Sequence, residues 1–238
     1  LLENTLLSYS NSRCFFMSLR YKFFFILLFT ILLFGFSFVD AKVHPVSLLK
    51  GKIITIDPGH GGRDSGTIYG KIYEKDLNLA IAKILQEKLV AAGATVYLVR
   101  DGDYDLSSQW DTLKKRGDLY RRILFIQKKN SDLYLSIHIN AGKGTGQEVL
   151  YHPISKENNL LAESIQKQFL KDFKTKRQVK KTDLYLYSNT RVPGVLIECG
   201  FLSNANDRYL LQQSSYQERL ANSIKKGVEN YFTEFLHS

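Results

Sequence analysis

The chain has 238 residues, of which 44% are hydrophobic, 24% are charged and only 4 are proline. This balance excludes disordered, collagen-like and low-complexity proteins, and the length suits one ordinary domain. Two cysteines are too few for a disulfide framework, and no Cys-x-x-Cys pair offers a structural zinc site. The formal charge of +10 favours anionic surroundings such as nucleic acid, a membrane surface or an anionic cell wall.

The first part of the chain is interpreted as a leader. Residues 1–16 precede the only methionine, Met17, and show no periodicity, which is typical of a non-native upstream extension. Residues 17–41 combine basic residues with an apolar run at 23–39, as expected of a signal peptide or a membrane anchor. Because the basic side stays in the cytoplasm, both alternatives predict an exported, extracytoplasmic body that is either secreted or anchored by residues 23–39.

Strands and helices alternate along the rest of the chain. Short β-branched or apolar runs predict strands at 52–57, 94–99, 132–138, 148–152, 184–187 and 195–198. Apolar residues at helical spacing predict helices at 77–92, 109–129, 160–170 and 220–235. The first helix is expected to have Asp76 as its N-cap and Gly93 as its stop. This order predicts one α/β domain over 51–236, with a mixed, mostly parallel sheet of about six strands flanked by helices.

Residues able to carry chemistry follow or end three of these strands. His60 lies in a glycine-rich loop after the first strand, and Glu74 comes one short loop later, just before the first helix. His138 ends the strand at 132–138, and Glu198 ends an apolar strand. Ligands gather at the carboxyl ends of strands in open α/β sheets, so we expect these four side chains to lie close together.

Two imidazoles and one carboxylate, with one coordination position open, are the composition of a catalytic zinc site. A fourth protein ligand would close that site, so either Glu74 or Glu198 should stay off the metal and act as a base. The loop around His60 lacks both phosphate-binding glycine patterns, Gly-x-x-x-x-Gly-Lys-Ser/Thr and Gly-x-Gly-x-x-Gly. A zinc hydrolase is therefore favoured over a phosphate-binding protein.

Three further features have structural and functional alternatives. Cys199 points to the opposite strand face from Glu198 and is expected to be a core residue rather than a nucleophile. Trp110 either packs at a helix start or stacks on a sugar ring. The Lys- and Arg-rich helix at 109–129 is expected to be a solvated face, with attraction to anionic wall polymers as an additional role.

Four segments together resemble the zinc-dependent N-acetylmuramoyl-L-alanine amidases of the amidase-3 family, and the resemblance covers roughly residues 51–236. The segments are Ile56-Asp-Pro-Gly-His-Gly-Gly62, Tyr73-Glu-Lys-Asp-Leu-Asn-Leu79, Leu135-Ser-Ile-His-Ile-Asn-Ala141 and Leu196-Ile-Glu-Cys-Gly-Phe-Leu-Ser-Asn204. The resemblance implies a metal site of His60, Glu74 and His138 that binds Zn²⁺, with Glu198 as the catalytic residue. Asn140, beside a ligand, is a candidate for substrate binding.

The activity implied by this resemblance is hydrolysis of the amide between the lactyl group of N-acetylmuramic acid and L-alanine in peptidoglycan. Glu198 would act as general base toward a zinc-activated water and then as general acid. The size, the single N-terminal hydrophobic segment and the closing Tyr231-Phe-Thr-Glu234 are most similar to the spore-cortex, CwlD-type branch, which implies a role in muramic lactam formation.

The expected partners are peptidoglycan, an activator protein and, if the leader is uncleaved, the membrane through the N-terminal segment. The exported location argues against nucleic acid. Two alternatives stay open: a zinc carboxypeptidase-like peptidase acting on wall stem peptides, and a non-catalytic cell-wall-binding protein with a degenerate site. The complete set of four site residues favours an enzyme.

Overall fold

The computed structural model describes residues 48–173, 175–183 and 185–235, together with Phe24. The predicted extension at 1–16 and leader at 17–41 lie outside these residues, Phe24 excepted, and the elements given below belong to the unit Val46–Ser238. Among the described residues, no helix combines the length and the apolar character that a membrane span requires.

Strands and helices alternate along the described chain, as the sequence predicts. In order they are β1 (Ile53–Pro58), β2 (Ile68–Tyr69), β3 (Ile72–Tyr73), α1 (Glu74–Ala91), β4 (Thr95–Leu98), α2 (Lys114–Lys128), β5 (Leu133–Asn140), β6 (Glu148–Tyr151), α3 (Lys156–Asp172), β7 (Lys180–Lys181), α4 (Tyr185–Ser188), β8 (Gly194–Phe201), α5 (Ala205–Leu211) and α6 (Ser214–Phe235).

Six of the strands form one sheet in the order β4-β1-β5-β8-β6-β7, and β2 pairs with β3 in a separate antiparallel hairpin. Neighbouring strands of the sheet are parallel, except that β6 runs antiparallel to β8. The predicted α/β class, with a mixed and mostly parallel sheet of about six strands, is confirmed.

The central strands β1, β5 and β8 carry long apolar runs because helices cover both faces of the sheet. Alternate residues such as Leu135 and Ile197 face a large core shared with α1, α3 and α6. The intervening Tyr134 and Leu196 face a smaller core completed by Ile123 and Ile126 of α2. Because β1, β5 and β8 are parallel neighbours, their carboxyl ends meet at one edge.

The predicted strand at 184–187 is wrong, because α4 begins at Tyr185. The alternating Leu and Tyr pattern there suggested a strand, but the edge position beside β6 is taken by β7, a pair of exposed lysines. Such short, charged edge strands discourage further strand pairing.

All four predicted helix starts are also shifted; α3 begins at Lys156 and α6 at Ser214, four and six residues earlier than predicted. The first helix begins at Glu74 with Tyr73 as N-cap, so the predicted N-cap Asp76 is wrong; the Glu74 N–H donates to the Thr67 carbonyl oxygen at 2.9 Å. α2 begins at Lys114, five residues later than predicted. The β2–β3 hairpin and α5 were not predicted, although Asn204 caps α5 by accepting hydrogen bonds from two backbone N–H groups.

Candidate active site

The sheet brings the four candidate residues to one edge. His60 lies two residues beyond β1, and Glu74 is the first residue of α1. His138 of β5 and Glu198 of β8 are directly paired in the parallel register. The sequence predicted His138 and Glu198 at the ends of their strands. This is wrong, because β5 runs two residues past His138 and β8 runs three residues past Glu198.

Glu74 lies between the two imidazoles. Its Oε1 atom is 3.2 Å from Nε2 of His60 and 3.1 Å from Nδ1 of His138. The two rings meet edge to face with their centroids 4.9 Å apart. One ligand atom from each of these three residues lies within 4.8 Å of the others, which is the spacing needed to hold one metal ion.

The carboxylate of Glu74 is buried and held from several directions. Its Oε2 accepts a hydrogen bond from the Thr67 N–H at 2.8 Å, and its Oε1 accepts one from the Ile139 N–H at 3.1 Å. Burial alone would raise the pKa of Glu74, but the hydrogen bonds and charges of His138 and His60 hold it well below its usual range. Glu74 is therefore anionic, as a metal ligand must be.

His60 adopts an unusual backbone conformation, with φ at +63°, in the left-handed region that non-glycine residues seldom occupy. Its Nδ1 atom lies 3.0 Å from Oδ2 of Asp64. Burial lowers the pKa of His60, but Asp64 and Glu74 outweigh burial and raise the pKa to about 9. Without a metal, His60 is consequently protonated at neutral pH.

This shift predicts how the stability of the metal-free protein depends on pH. A proton held more tightly by folded His60 contributes stability below the ordinary pKa of 6.5, and that contribution is lost as the pH rises to about 9. We expect the contribution of His60 to the free energy of unfolding in chelator to fall by about 2 kcal/mol over this interval. Urea unfolding across this pH range measures it.

The control for this prediction is His60→Asn, which tolerates the left-handed backbone and lacks the titrating group. In this variant, the free energy of unfolding should no longer show the part of its fall with pH that His60 causes above pH 7. With zinc present, stability should instead rise with pH, because metal binding releases the proton. Equal slopes in the native protein and the variant would contradict the assignment of the proton to His60.

Glu198 is the fourth residue at this edge. Its Oε2 atom is shielded from solvent and has no hydrogen-bond partner among the described residues. Burial and the neighbouring carboxylates of Glu74 and Glu148 raise the pKa of Glu198 to about 8. A buried carboxyl oxygen without a hydrogen-bond partner lowers the stability of the folded protein, which points to a functional role for the group. A pKa near neutrality suits proton transfer.

All four residues line one open cavity of about 400 Å³. The remaining lining residues come from the His60 loop, the start of α2 and the end of β5; they are Asp64, Gly66, Thr67, Lys115, Ile139, Asn140 and Ala141. The Oδ1 atom of Asn140 accepts a hydrogen bond from the Gly142 N–H at 2.9 Å, so this side chain caps its loop and also borders the cavity.

The residues present fit a catalytic zinc ion. Two imidazoles and a carboxylate are a common zinc ligand set, and Glu198 supplies an acid or base that is not needed as a ligand. The His138 ring also packs directly against Gly59, because a Cβ atom on Gly59 would overlap Cε1 of His138. Glycine at this position is what allows the His138 ring to lie against the His60 loop.

Two other expectations concerned Cys199 and Trp110. Cys199 is fully buried in the core, as predicted. Trp110 is 85% exposed, so the alternative in which it packs at a helix start is wrong. Its role in sugar stacking stays a prediction.

The sequence analysis missed two buried arginines behind the His60 loop. Arg122 was assigned to a solvated basic helix, but its side chain is buried and donates to Asp57 at 2.6 Å and to Asp118 at 2.8 Å. It also donates to the His60 carbonyl oxygen at 2.6 Å. The Asp118–Arg122 spacing of four residues on a helix was the available signal. The second, Arg100, follows β4, and no pattern in the sequence marked it.

The family model for N-acetylmuramoyl-L-alanine amidase (Amidase_3) matches residues 54–230, which include all four site residues. The chain belongs to this amidase family. The resemblance drawn from the four sequence segments is thereby confirmed, and the amidase is an N-acetylmuramoyl-L-alanine amidase, as predicted.

Relatives of known name support this placement. The amidase is 40% identical over 222 residues to the germination-specific N-acetylmuramoyl-L-alanine amidase of Bacillus subtilis, covering 88% of this chain and 94% of that protein. It is 36% identical over 188 residues to the amidase LytC of the same organism, covering 76% of this chain and 36% of LytC.

Among solved structures, the amidase is similar to CwlD from Clostridioides difficile, which was solved in complex with the GerS lipoprotein. The TM-score is 0.74 at 34% identity, over 77% of this chain and 99% of that chain. Together with the germination-specific relative, this similarity supports the predicted CwlD-type branch of the family.

Proposed function

We propose that this amidase cleaves the bond between the lactyl group of N-acetylmuramic acid and L-alanine with one Zn²⁺ held by His60, Glu74 and His138. The observation that carries the proposal is the cluster of three ligand atoms within 4.8 Å, with the unpartnered Oε2 of Glu198 at the same cavity. Zinc, when bound, would activate a water molecule and polarise the scissile carbonyl.

The chain's own residues perform the proton transfers in this proposal. Glu198 accepts a proton from the attacking water at its free Oε2 and then delivers it to the alanine nitrogen as the amide bond breaks. Once it has taken up that proton, the Glu198 carboxyl is the donor that the departing amine requires. Asn140, at the rim of the cavity, is proposed to hydrogen-bond substrate.

The biological setting that we propose is spore-cortex maturation, in which removal of the peptide allows muramic lactam to form. Support comes from the germination-specific relative and from the similarity to CwlD. That structure contains a lipoprotein partner, so we also propose an activator protein for this amidase. A wall substrate requires an extracytoplasmic location, which the leader at 17–41 would provide by cleavage or by anchoring residues 23–39.

Muropeptide analysis tests the proposed bond. Purified protein with zinc should release stem peptides with a free N-terminal L-alanine from peptidoglycan and leave peptide-free muramic acid, as mass spectrometry would show. Shortened peptides still attached to muramic acid would instead indicate the carboxypeptidase-like alternative. Binding without any cleavage would indicate a wall-binding protein.

A further inference from the structure

Arg100 is one of the most deeply buried charged residues in the described part of the chain, with 1% of its surface exposed. Its guanidinium donates four hydrogen bonds, and every acceptor is a backbone carbonyl oxygen. The acceptors are Pro58 at 2.9 Å, Gly59 at 3.0 Å, Lys75 at 2.7 Å and Gly102 at 2.9 Å. No carboxylate among the described residues is hydrogen-bonded to it.

These carbonyls belong to the two segments that carry metal ligands. Pro58 and Gly59 lead directly into His60, and Lys75 immediately follows Glu74 in the first turn of α1. Arg100 Nη2 contacts both segments at once, through the oxygens of Gly59 and Lys75. The guanidinium therefore joins the His60 loop to the start of the helix that presents Glu74.

Neutralisation of charge does not explain this arrangement. Arg122, which lies behind the same loop, is paired with the carboxylates of Asp57 and Asp118, as a buried cation normally is. Arg100 instead donates its hydrogen bonds to main-chain oxygens in three separate segments of the chain. A planar guanidinium has five donors in a fixed fork and can hold such separate acceptors, whereas an ammonium group has three donors on a single atom.

The His60 loop needs this support. A non-glycine residue in the left-handed region is strained, and the surrounding contacts must offset that strain. The stem of Arg100 also packs directly under the loop, because a Cβ on Gly61 would lie 2.8 Å from Cδ of Arg100. These contacts therefore hold the main chain that leads into His60.

We propose that Arg100 is a positioning residue of the metal centre, which sets the separation of His60 and Glu74 by holding the main chain beside each of them. This inference rests on the proposed metal-dependent function and concerns a residue that touches neither metal nor substrate. Metal affinity, and not only folding, should therefore depend on the shape of the Arg100 side chain.

The test compares Arg100→Lys, which keeps the charge and loses the fork, with Arg219→Lys on α6 as a matched control. Arg219 is exposed and donates to one main-chain oxygen, that of Asp172, at 3.0 Å. The dissociation constant for Zn²⁺ is measured by chelator competition on each full-length folded protein, and the absorption spectrum of the Co²⁺-loaded protein reports ligand geometry. Unfolding in chelator gives the stability separately.

Arg100→Lys should bind Zn²⁺ about 10- to 100-fold more weakly and change the Co²⁺ spectrum, as substitutions that disturb ligand orientation do. It should also lower kcat at saturating zinc more than it raises KM, while Arg219→Lys matches the native protein. If Arg100→Lys is partly unfolded without metal, the titration is repeated in sucrose, which favours the folded state.

Native zinc affinity and an unchanged Co²⁺ spectrum in folded Arg100→Lys would overturn the inference, even if the variant is less stable. This outcome differs from failure of the proposed function, in which the native protein itself would take up no zinc. Zinc binding by the native protein therefore distinguishes failure of the proposed function from failure of the inference about Arg100.

Discussion

Replacing Glu198 with glutamine is expected to lower kcat by about 10²- to 10⁴-fold, the usual contribution of a general acid or base. Glutamine keeps the size of the side chain but cannot accept the proton of the attacking water. Zinc binding should be unchanged, because the three ligand atoms come from other residues. Steady-state kinetics on a soluble muropeptide, beside a zinc titration, measures both quantities.

The same substitution should make the metal-free protein more stable at alkaline pH. Folded Glu198 has a pKa of about 8, compared with an ordinary value of 4.5, so the folded state resists ionisation. Stability is therefore lost as the pH rises from 4.5 through 8, and Glu198→Gln should avoid that loss, with a gain of about 2 kcal/mol at pH 9. Activity and stability are therefore expected to change in opposite directions, as they do at many functional sites.

Glu163→Gln is the matched control, since Glu163 is exposed on α3 and hydrogen-bonds only Asn159 among the described residues. It should change neither kcat nor the pH dependence of stability. Near-native turnover in Glu198→Gln would refute the proposed base, and another group at the cavity would then have to move the proton.

Removal of a proposed metal ligand is expected to have the other large effect. His138→Ala should lose stoichiometric zinc binding and reduce cleavage to the level of the chelator-treated native protein, because one imidazole and one carboxylate hold zinc poorly. Zinc at about 1,000 times its dissociation constant stabilises a folded protein by about 4 kcal/mol, and the variant should lack this gain. Metal analysis and thermal unfolding with and without zinc measure these effects.

His152→Ala provides the comparison for this variant. His152 lies after β6, and its Nε2 is 3.3 Å from an exposed carboxylate, that of Asp183. It should keep both zinc and activity. Full activity of His138→Ala, or of native protein dialysed against chelator, would show that the cluster of His60, Glu74 and His138 does not hold a required metal.

The fold was largely readable from the sequence because its strongest signals are local. The apolar runs around Ile54, Leu135 and Ile197 predict buried strands, and the helical spacing from Leu77 to Leu89 predicts α1. Prediction was wrong where a short pattern had to be interpreted without its neighbours, as at 184–187. It was also wrong where the first N–H of a helix donates to a carbonyl oxygen in the preceding loop, as Glu74 does to Thr67.

The site followed from the same kind of signal, in a more limited way. His60, His138 and Glu198 lie at or near the carboxyl ends of recognisable apolar strands, so the parallel topology predicts their proximity. Arg100 and Arg122 carry no such signal. A charged residue after a strand, or within a basic helix, is normally solvated, and its burial depends on carbonyls and carboxylates that are remote in the chain.

The residues that can perform chemistry, and the family to which the chain belongs, were determined by the sequence, because residue type, strand ends and glycine positions are local properties. The tertiary structure alone decided that Glu74 lies between the two imidazoles, that Glu198 keeps an unpartnered oxygen, and that two buried arginines hold the His60 loop. These features depend on contacts between segments far apart in the chain, such as the hydrogen bond from the Ile139 N–H to Glu74, which spans 65 positions. The distances and pKa values that make the site reactive arise only when packing brings those segments together.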